Sequence, residues 1–273
     1  TADGTAVVVE NTGGNITASV AGTTVGGAKV DYTAKTKGVV NLTATNTGGL
    51  TSTVTNAGTI ADALTSTITL GNAVTNEKND VAIKGTVATL NVTGGTGVDT
   101  VVLNDAQVKS GTIALGTGTD SVNFDQIISA TSASDAAGVV INLGSTAYKI
   151  NAGEAYETSV AAGHAVEYNA AAGTTTKKLV TDGFDLTLSG VETVTGTANA
   201  DIIIANAAGS TINGGAGNDT IISGAGADTI DVGAGADVLV YSATGQTAKT
   251  VVVSGTTALT IANGFDVIKG MVA

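Results

Sequence analysis

The sequence predicts an all-β protein, a solenoid of short stacked strands, and three observations carry that expectation. First, residues 196–240 divide into five consecutive nine-residue units: GTANADIII, ANAAGSTIN, GGAGNDTII, SGAGADTID and VGAGADVLV. Second, an aliphatic residue holds the eighth place of every unit, at Ile203, Ile212, Ile221, Ile230 and Leu239. One unit cannot bury that side chain alone, whereas stacked units form a continuous core. Third, the chain of 273 residues has 38 glycines, no Pro, Cys or Trp, and only 3% aromatic residues. A core of Val, Ile, Leu, Ala and Thr methyls suits thin strand layers better than a thick globule.

The sixth place of the unit is the chemically active one. It carries Asp201, Asp219, Asp228 and Asp237, with Ser210 in the second unit. Glycines at the first, second and fourth places let the backbone turn without a Cβ clash. A turn of that kind can aim several carbonyl oxygens at one point, where the aspartate adds a carboxylate. Hard cations such as calcium take about six to eight oxygen ligands of this kind.

The array resembles the calcium-binding β-roll of RTX and S-layer proteins, and the resemblance implies a parallel β-helix/β-roll solenoid with calcium-binding nonapeptide turns. In that arrangement two units make one coil, so residues eighteen apart stack. Asp201, Asp219 and Asp237 then line one edge, while Asp228 shares the other with Ser210, which brings no charge. The metal residues implied in the array are Gly196, Asn199 and Asp201; Gly214, Gly215, Gly217 and Asp219; Gly224, Gly226 and Asp228; and Gly233, Gly235 and Asp237.

Taken in order, residues 1–92 read as short β-prone runs punctuated by Gly and Asn. Strands are expected at 5–10, 16–20, 29–34, 39–45, 50–56 and 66–70, where β-branched residues alternate with polar ones. A continuing solenoid is the first expectation there, and a small sandwich is the second. The calcium signature first appears at GGTGVDTVV (94–102) and LGTGTDSVN (115–123), with Asp99 and Asp120 at the sixth place. Their separation of 21 residues predicts an extra outward bulge if the two are to share an ion.

Residues 130–182 are less regular. GVVINL (138–143) reads as a strand, and 152–172 as a short helix or two strands. His164 is the chain's one histidine, and a packed or surface role suits it better than a ligand role. The lead-in DLTLSGVETVTGTANAD (185–201) and the closing IANGFDVIKG (261–270) resemble segments flanking RTX arrays. The domains expected are therefore 1–92, a strand-rich region, and 93–273, a calcium-binding solenoid with its roll at 182–241 and a cap at 242–273.

The formal net charge of −12 disfavours nucleic acid and anionic membrane as partners and favours cations. No apolar run reaches the roughly eighteen residues of a membrane span. The sequence also lacks the HExxH and GxSxG signatures, and no Cys is present to act as a nucleophile. The resemblance implies a structural, non-enzymatic S-layer protein that is exported by type I secretion, folds on meeting calcium and assembles with copies of itself at the bacterial surface. Cell-surface polysaccharide is a further partner to consider. A calcium-dependent adhesin repeat, the secretion module of an exported enzyme, and a β-helix polysaccharide lyase are the alternatives. Thr1 in place of Met suggests a fragment or a processed product.

Overall fold

The computed structural model describes residues 6–11, 16–20, 28–34, 39–44, 50–56, 65–70, 78–128, 138–150, 158–169, 178–241, 250–252 and 258–262. Every described element is a strand. They are β1 (Ala6–Asn11), β2 (Ile16–Val20), β3 (Ala28–Ala34), β4 (Val39–Ala44), β5 (Leu50–Asn56), β6 (Thr65–Thr69), β7 (Lys78–Thr93), β8 (Val98–Ala114), β9 (Ser121–Asn123), β10 (Ile127–Ile128), β11 (Val139–Asn142) and β12 (Tyr148–Ile150). There follow β13 (Thr158–Val160), β14 (His164–Asn169), β15 (Lys178–Leu179), β16 (Asp185–Ser189), β17 (Thr193–Thr195), β18 (Ile202–Ile204), β19 (Thr211–Asn213), β20 (Thr220–Ser223), β21 (Thr229–Asp231), β22 (Ala236–Tyr241), β23 (Thr250–Val252) and β24 (Ala258–Ala262). Among the described residues no helix is long and apolar enough to cross a membrane.

The chain divides into two compact units, Thr1–Asp135 with Leu186–Val191, and Ala136–Asp185 with Glu192–Ala273. The boundary expected at 92/93 from sequence falls inside the first unit, where β7 and β8 pair in parallel along most of their length.

In the first unit, strands β1 to β5 each pair in parallel with the strand two places on. β1 pairs β3, β3 pairs β5, β2 pairs β4 and β4 pairs β6. That is the connectivity of a solenoid, and it replaces the sandwich alternative. Strand β7 serves both ladders, its first half pairing β5 and its last residues pairing β6. Alternation in the sequence directs the aliphatic residues inward. Ile68, Val92 and Ile113 stack in register and are 0–1% exposed, as are Val81, Val101 and Val122. The expected strands match closely, and β2 and β5 have the anticipated limits. The Asn-Thr-Gly-Gly segments at 11–14 and 46–49 lie almost wholly outside the described residues.

The second unit holds the nonapeptide array. β11, β18, β20, β22 and β24 form one parallel ladder, and β17, β19, β21 and β23 the other. Ile202 faces Thr220 and Thr220 faces Val238, an offset of eighteen residues per coil. The eighth-place residues Ile203, Ile212, Ile221, Ile230 and Leu239 are 0–1% exposed. Burying each of these side chains contributes roughly 1.5–3 kcal/mol, which supplies the drive for stacking.

An excursion separates β11 from its parallel neighbour β18. Within it, β12 and β13 form a hairpin, and β14 runs antiparallel to β11. The region expected as a short helix or two strands therefore contains two strands, β13 and β14, with 151–157 and 170–177 outside the described residues. Val140, Ile150, Val160, Val166, Tyr168 and Ile202 make a shared core there. Buried Asn142 anchors its rim: Nδ2 donates toward the carbonyls of Thr146, Val160 and Ala161 at 2.9–3.1 Å, and Oδ1 accepts from Gly144 N–H.

Candidate metal centre

Strands β17 to β21 of the roll are only three or four residues long, so a turn fills the rest of each nine-residue unit. The sixth-place aspartate sits at the end of that turn, where the next strand starts and the chain points inward. Asp201, Asp219, Asp228 and Asp237 are accordingly 0–2% exposed, unusual for carboxylates, which are seldom fully buried unless paired.

Hydrogen bonds link these carboxylates from coil to coil. The Asp201 N–H donates to Oδ1 of Asp219 at 2.9 Å, and the Asp219 N–H donates to Oδ1 of Asp237 at 3.0 Å. On the opposite edge the Ser210 N–H donates to Oδ1 of Asp228 at 2.8 Å. The eighteen-residue pairing thus sorts the four aspartates as the repeat implies. Above Asp201 stands Val139, whose N–H donates to Asp201 Oδ1 at 2.7 Å. In the register below, Asp237 faces Leu259. The carboxylate ladder on this edge is therefore three residues long.

The first unit repeats the relationship. The Asp99 N–H donates to Asp120 Oδ1 at 2.8 Å, and both residues are 0% exposed. Their 21-residue separation does not interrupt the stacking, because the additional residues extend the long strand β8 and not the turn. Thr100 faces Ser121 in register immediately beyond the two aspartates. Above them lies Asn79, whose Nδ2 donates to Asp99 Oδ1 at 2.7 Å. Sequence reading missed Asn79. Aligning Asn79, Val81 and Ile83 with Asp99, Val101 and Leu103, which share register or inward direction, would have found it.

Glycine has two distinct roles in the turns. Gly215 and Gly217 hold φ of +98° and +116°, a region that side chains with a Cβ seldom enter. Gly214 does not, and close approach explains it instead. A Cβ there would lie 2.6 Å from Asp219 Oδ2 and against the Val232 carbonyl. Gly233 and Gly235 follow the Gly215 and Gly217 pattern, whereas Gly196, Gly224 and Gly226 are needed, like Gly214, because neighbouring main chain occupies the space. Ala216 and Ala234 bridge in parallel between successive turns. Asn199 lies in the first turn, where its N–H donates to Thr197 Oγ1 at 3.0 Å.

Burial without a counter-charge disfavours the ionised form. It pushes Asp201 up to about 7. Asp219 is pushed up to about 8, mainly by burial, with the charges of Asp201 and Asp237 adding to it and the Asp201 N–H opposing it. Asp99 is raised by burial, although the Asn79 amide and the Gly95 N–H pull the other way. Asp219 Oδ2 is the sharpest signal of all. It is buried and accepts no hydrogen bond, and an unsatisfied buried carboxylate oxygen is costly unless a cation meets it.

This donor set fits a hard cation: carboxylates stacked one per coil, close-packed turn carbonyls and a spare buried oxygen. Among the described residues no three of His, Asp and Glu converge on one point. The reason is geometric, since neighbouring strands lie about 4.7–4.9 Å apart and each coil supplies one carboxylate to an edge. Carboxylates from two turns, completed by main-chain carbonyls, would hold the ion.

Residues 208–239 match the family model of the RTX calcium-binding nonapeptide repeat, which comprises four copies. The matched residues are RTX repeats. Their ion is calcium, in keeping with the all-oxygen donor set. The match begins in the degenerate second unit and ends at Leu239, so it covers the turns that hold Asp219, Asp228 and Asp237. No curated protein and no solved structure matches the chain.

His164 stands apart from this chemistry. Its Nδ1 lies 2.7 Å from Asp185 Oδ1 at the surface of the second unit. Of the acidic residues near it in sequence, Glu167 is buried, and Glu154 and Glu157 lie outside the described residues. The capping segment expected at 261–270 also lies outside them after Ala262, although β24 itself extends the ladder by one coil.

Proposed function

We propose that this chain is a structural, non-catalytic protein of the bacterial cell surface. In this reading it is exported, folds around calcium and associates with copies of itself as an S-layer. The observation that supports the reading is where the carboxylates are spent. Asp99, Asp120, Asp201, Asp219, Asp228 and Asp237 are all buried between coils of a solenoid, so the calcium chemistry serves the scaffold. RTX repeats are typical of secreted bacterial proteins, and millimolar extracellular calcium suits modules whose Kd is about 10⁻⁴–10⁻³ M. The composition, rich in Thr, Ala, Gly and Val with no Pro or Cys, resembles that of S-layer chains.

Calcium titration of the purified chain, followed by circular dichroism, light scattering and electron microscopy, tests the proposal. Folding together with ordered two-dimensional arrays at millimolar calcium supports it. A chain that folds with calcium yet stays monomeric would instead be a secretion or folding module. Association into disordered or linear chains without arrays would favour an adhesin repeat.

A further inference from the structure

We propose that Thr197 and Asn206, at the second place of the first two repeats and on opposite edges of the roll, close their turns without calcium, so that the ion-holding part of the roll begins at Gly214. The inference rests on the calcium reading and assigns which turns of the roll serve it.

The turns differ in where the second-place N–H goes. At the first turn the Thr197 N–H donates to Asp201 Oδ2 at 2.6 Å. The Thr197 hydroxyl lies 2.9 Å from Oδ1 and 3.2 Å from Oδ2 of the same carboxylate. Val139 N–H completes Oδ1. Both oxygens of Asp201 are thereby met by groups of this chain, inside a turn where Thr197 is 3% exposed. The second turn is closed in a similar manner. The Asn206 N–H donates to Ser210 Oγ at 3.0 Å, and Asn206 Oδ1 accepts the N–H groups of Ala208 and Gly209 at 2.8 and 2.7 Å. A neutral hydroxyl and an amide oxygen satisfy that turn from within.

At the third turn the second-place N–H is drawn away. Gly215 N–H donates to Asn213 Oδ1 at 3.0 Å, two residues back. Gly233 N–H donates likewise to Asp231 Oδ1 at 3.1 Å. With the Gly215 N–H engaged elsewhere, Asp219 Oδ2 is left buried and accepts no hydrogen bond. The controlling residue is therefore the ninth place of the preceding repeat. Asn213 and Asp231 withdraw the N–H, whereas Thr195 and Ile204 precede the two closed turns. On the edge of Asp201, Asp219 and Asp237 the ion is shared by the turns of Asp219 and Asp237, and Asp201 is a hydrogen-bonded cap.

Calcium stoichiometry by equilibrium dialysis, and the thermal midpoint in calcium and in EDTA, decide the matter on the full chain. Asp219→Asn should lose one ion and lower the midpoint in calcium but not in EDTA. Thr197→Val, which leaves the Asp201 carboxylate in place, should keep the ion count and lower the midpoint equally in both conditions. Thr197→Ser, which keeps the hydroxyl, should restore the wild-type midpoint. Asn213→Ala should return the Gly215 N–H to Asp219 and raise the calcium midpoint of folding several-fold. If Thr197→Val or Asp201→Asn loses an ion as Asp219→Asn does, the inference is overturned while the calcium reading stands. A wild-type chain that binds no calcium overturns both.

Discussion

The Asp201 main chain donates its N–H to Oδ1 of Asp219, eighteen residues on, at 2.9 Å. One bond thus joins a turn to the turn stacked beneath it and fixes a carboxylate in the interior. The same link recurs from Asp219 to Asp237 and from Asp99 to Asp120. Asp219, Asp237 and Asp120, whose carboxylates accept these bonds, are consequently both coil-to-coil fasteners and candidate calcium ligands.

Calcium removal should destabilise the chain. A ligand that binds only the folded state stabilises it by RT ln(1 + [L]/Kd), about 2.7 kcal/mol at a hundredfold excess over Kd. EDTA is expected to lower the thermal midpoint of the full chain and reduce its β signal near physiological temperature. An identical melting curve in calcium and EDTA would sink the calcium-folding idea.

Not every part of this was equally legible in the sequence. The period of nine and the invariant aliphatic place were enough for the roll, because burial of Ile203, Ile212, Ile221, Ile230 and Leu239 and an eighteen-residue register are two consequences of one pattern. Asn79 and Val139 were not legible, because each joins the carboxylate stack through a coil that lacks the glycine motif. The excursion between β11 and β18 hid Val139 further, by setting it 62 positions from Asp201 in the sequence. Thr197 escaped notice for another reason. A residue at a degenerate glycine place reads as a lost motif, and only the geometry shows that its hydroxyl takes over the carboxylate.

The raised carboxyl groups predict a pH dependence whose sign follows from linkage. An unfolded Asp titrates near about 3.9, whereas burial pushes Asp201 up to about 7 and Asp219 up to about 8. The folded state therefore holds these protons more tightly than the unfolded one. Their stability contribution is fully present below pH ~4 and is lost as pH rises through 7–8. In EDTA the thermal midpoint should fall steadily between pH 4.5 and 8.5. Calcium favours the ionised form, so the gap between calcium and EDTA curves should widen over the same interval. A gap that does not change with pH would argue that neither carboxyl is coupled to the ion.

Core truncation should be costly irrespective of metal. Ile221 is 0% exposed in the middle of its ladder, between Ile203 and Leu239 in register. Ile221→Ala is expected to cost about 2–5 kcal/mol, since stacked coils on both sides restrict collapse into the cavity. Urea denaturation in saturating calcium measures it. A cost below about 1 kcal/mol would mean that the coils stack far more loosely than their register implies.

The turn glycines give the last prediction, because two of them should fail for different reasons. Gly217 holds φ of +116°, and a Cβ there would press on the main chain of Asn199. Gly217→Ala therefore meets backbone strain of order 1–3 kcal/mol together with a main-chain clash, with or without calcium. Gly214 has an ordinary φ, and its added Cβ would sit 2.6 Å from Asp219 Oδ2. That oxygen is the one without a hydrogen bond, so the methyl of Gly214→Ala crowds the atom best placed to meet the ion. Part of its effect should accordingly appear as a higher calcium midpoint of folding, beyond the loss of stability measured in EDTA. Thermal melts of both variants across a calcium series separate the two effects. Parallel displacement of the two curves at every calcium concentration would show that Asp219 Oδ2 does not take part in binding.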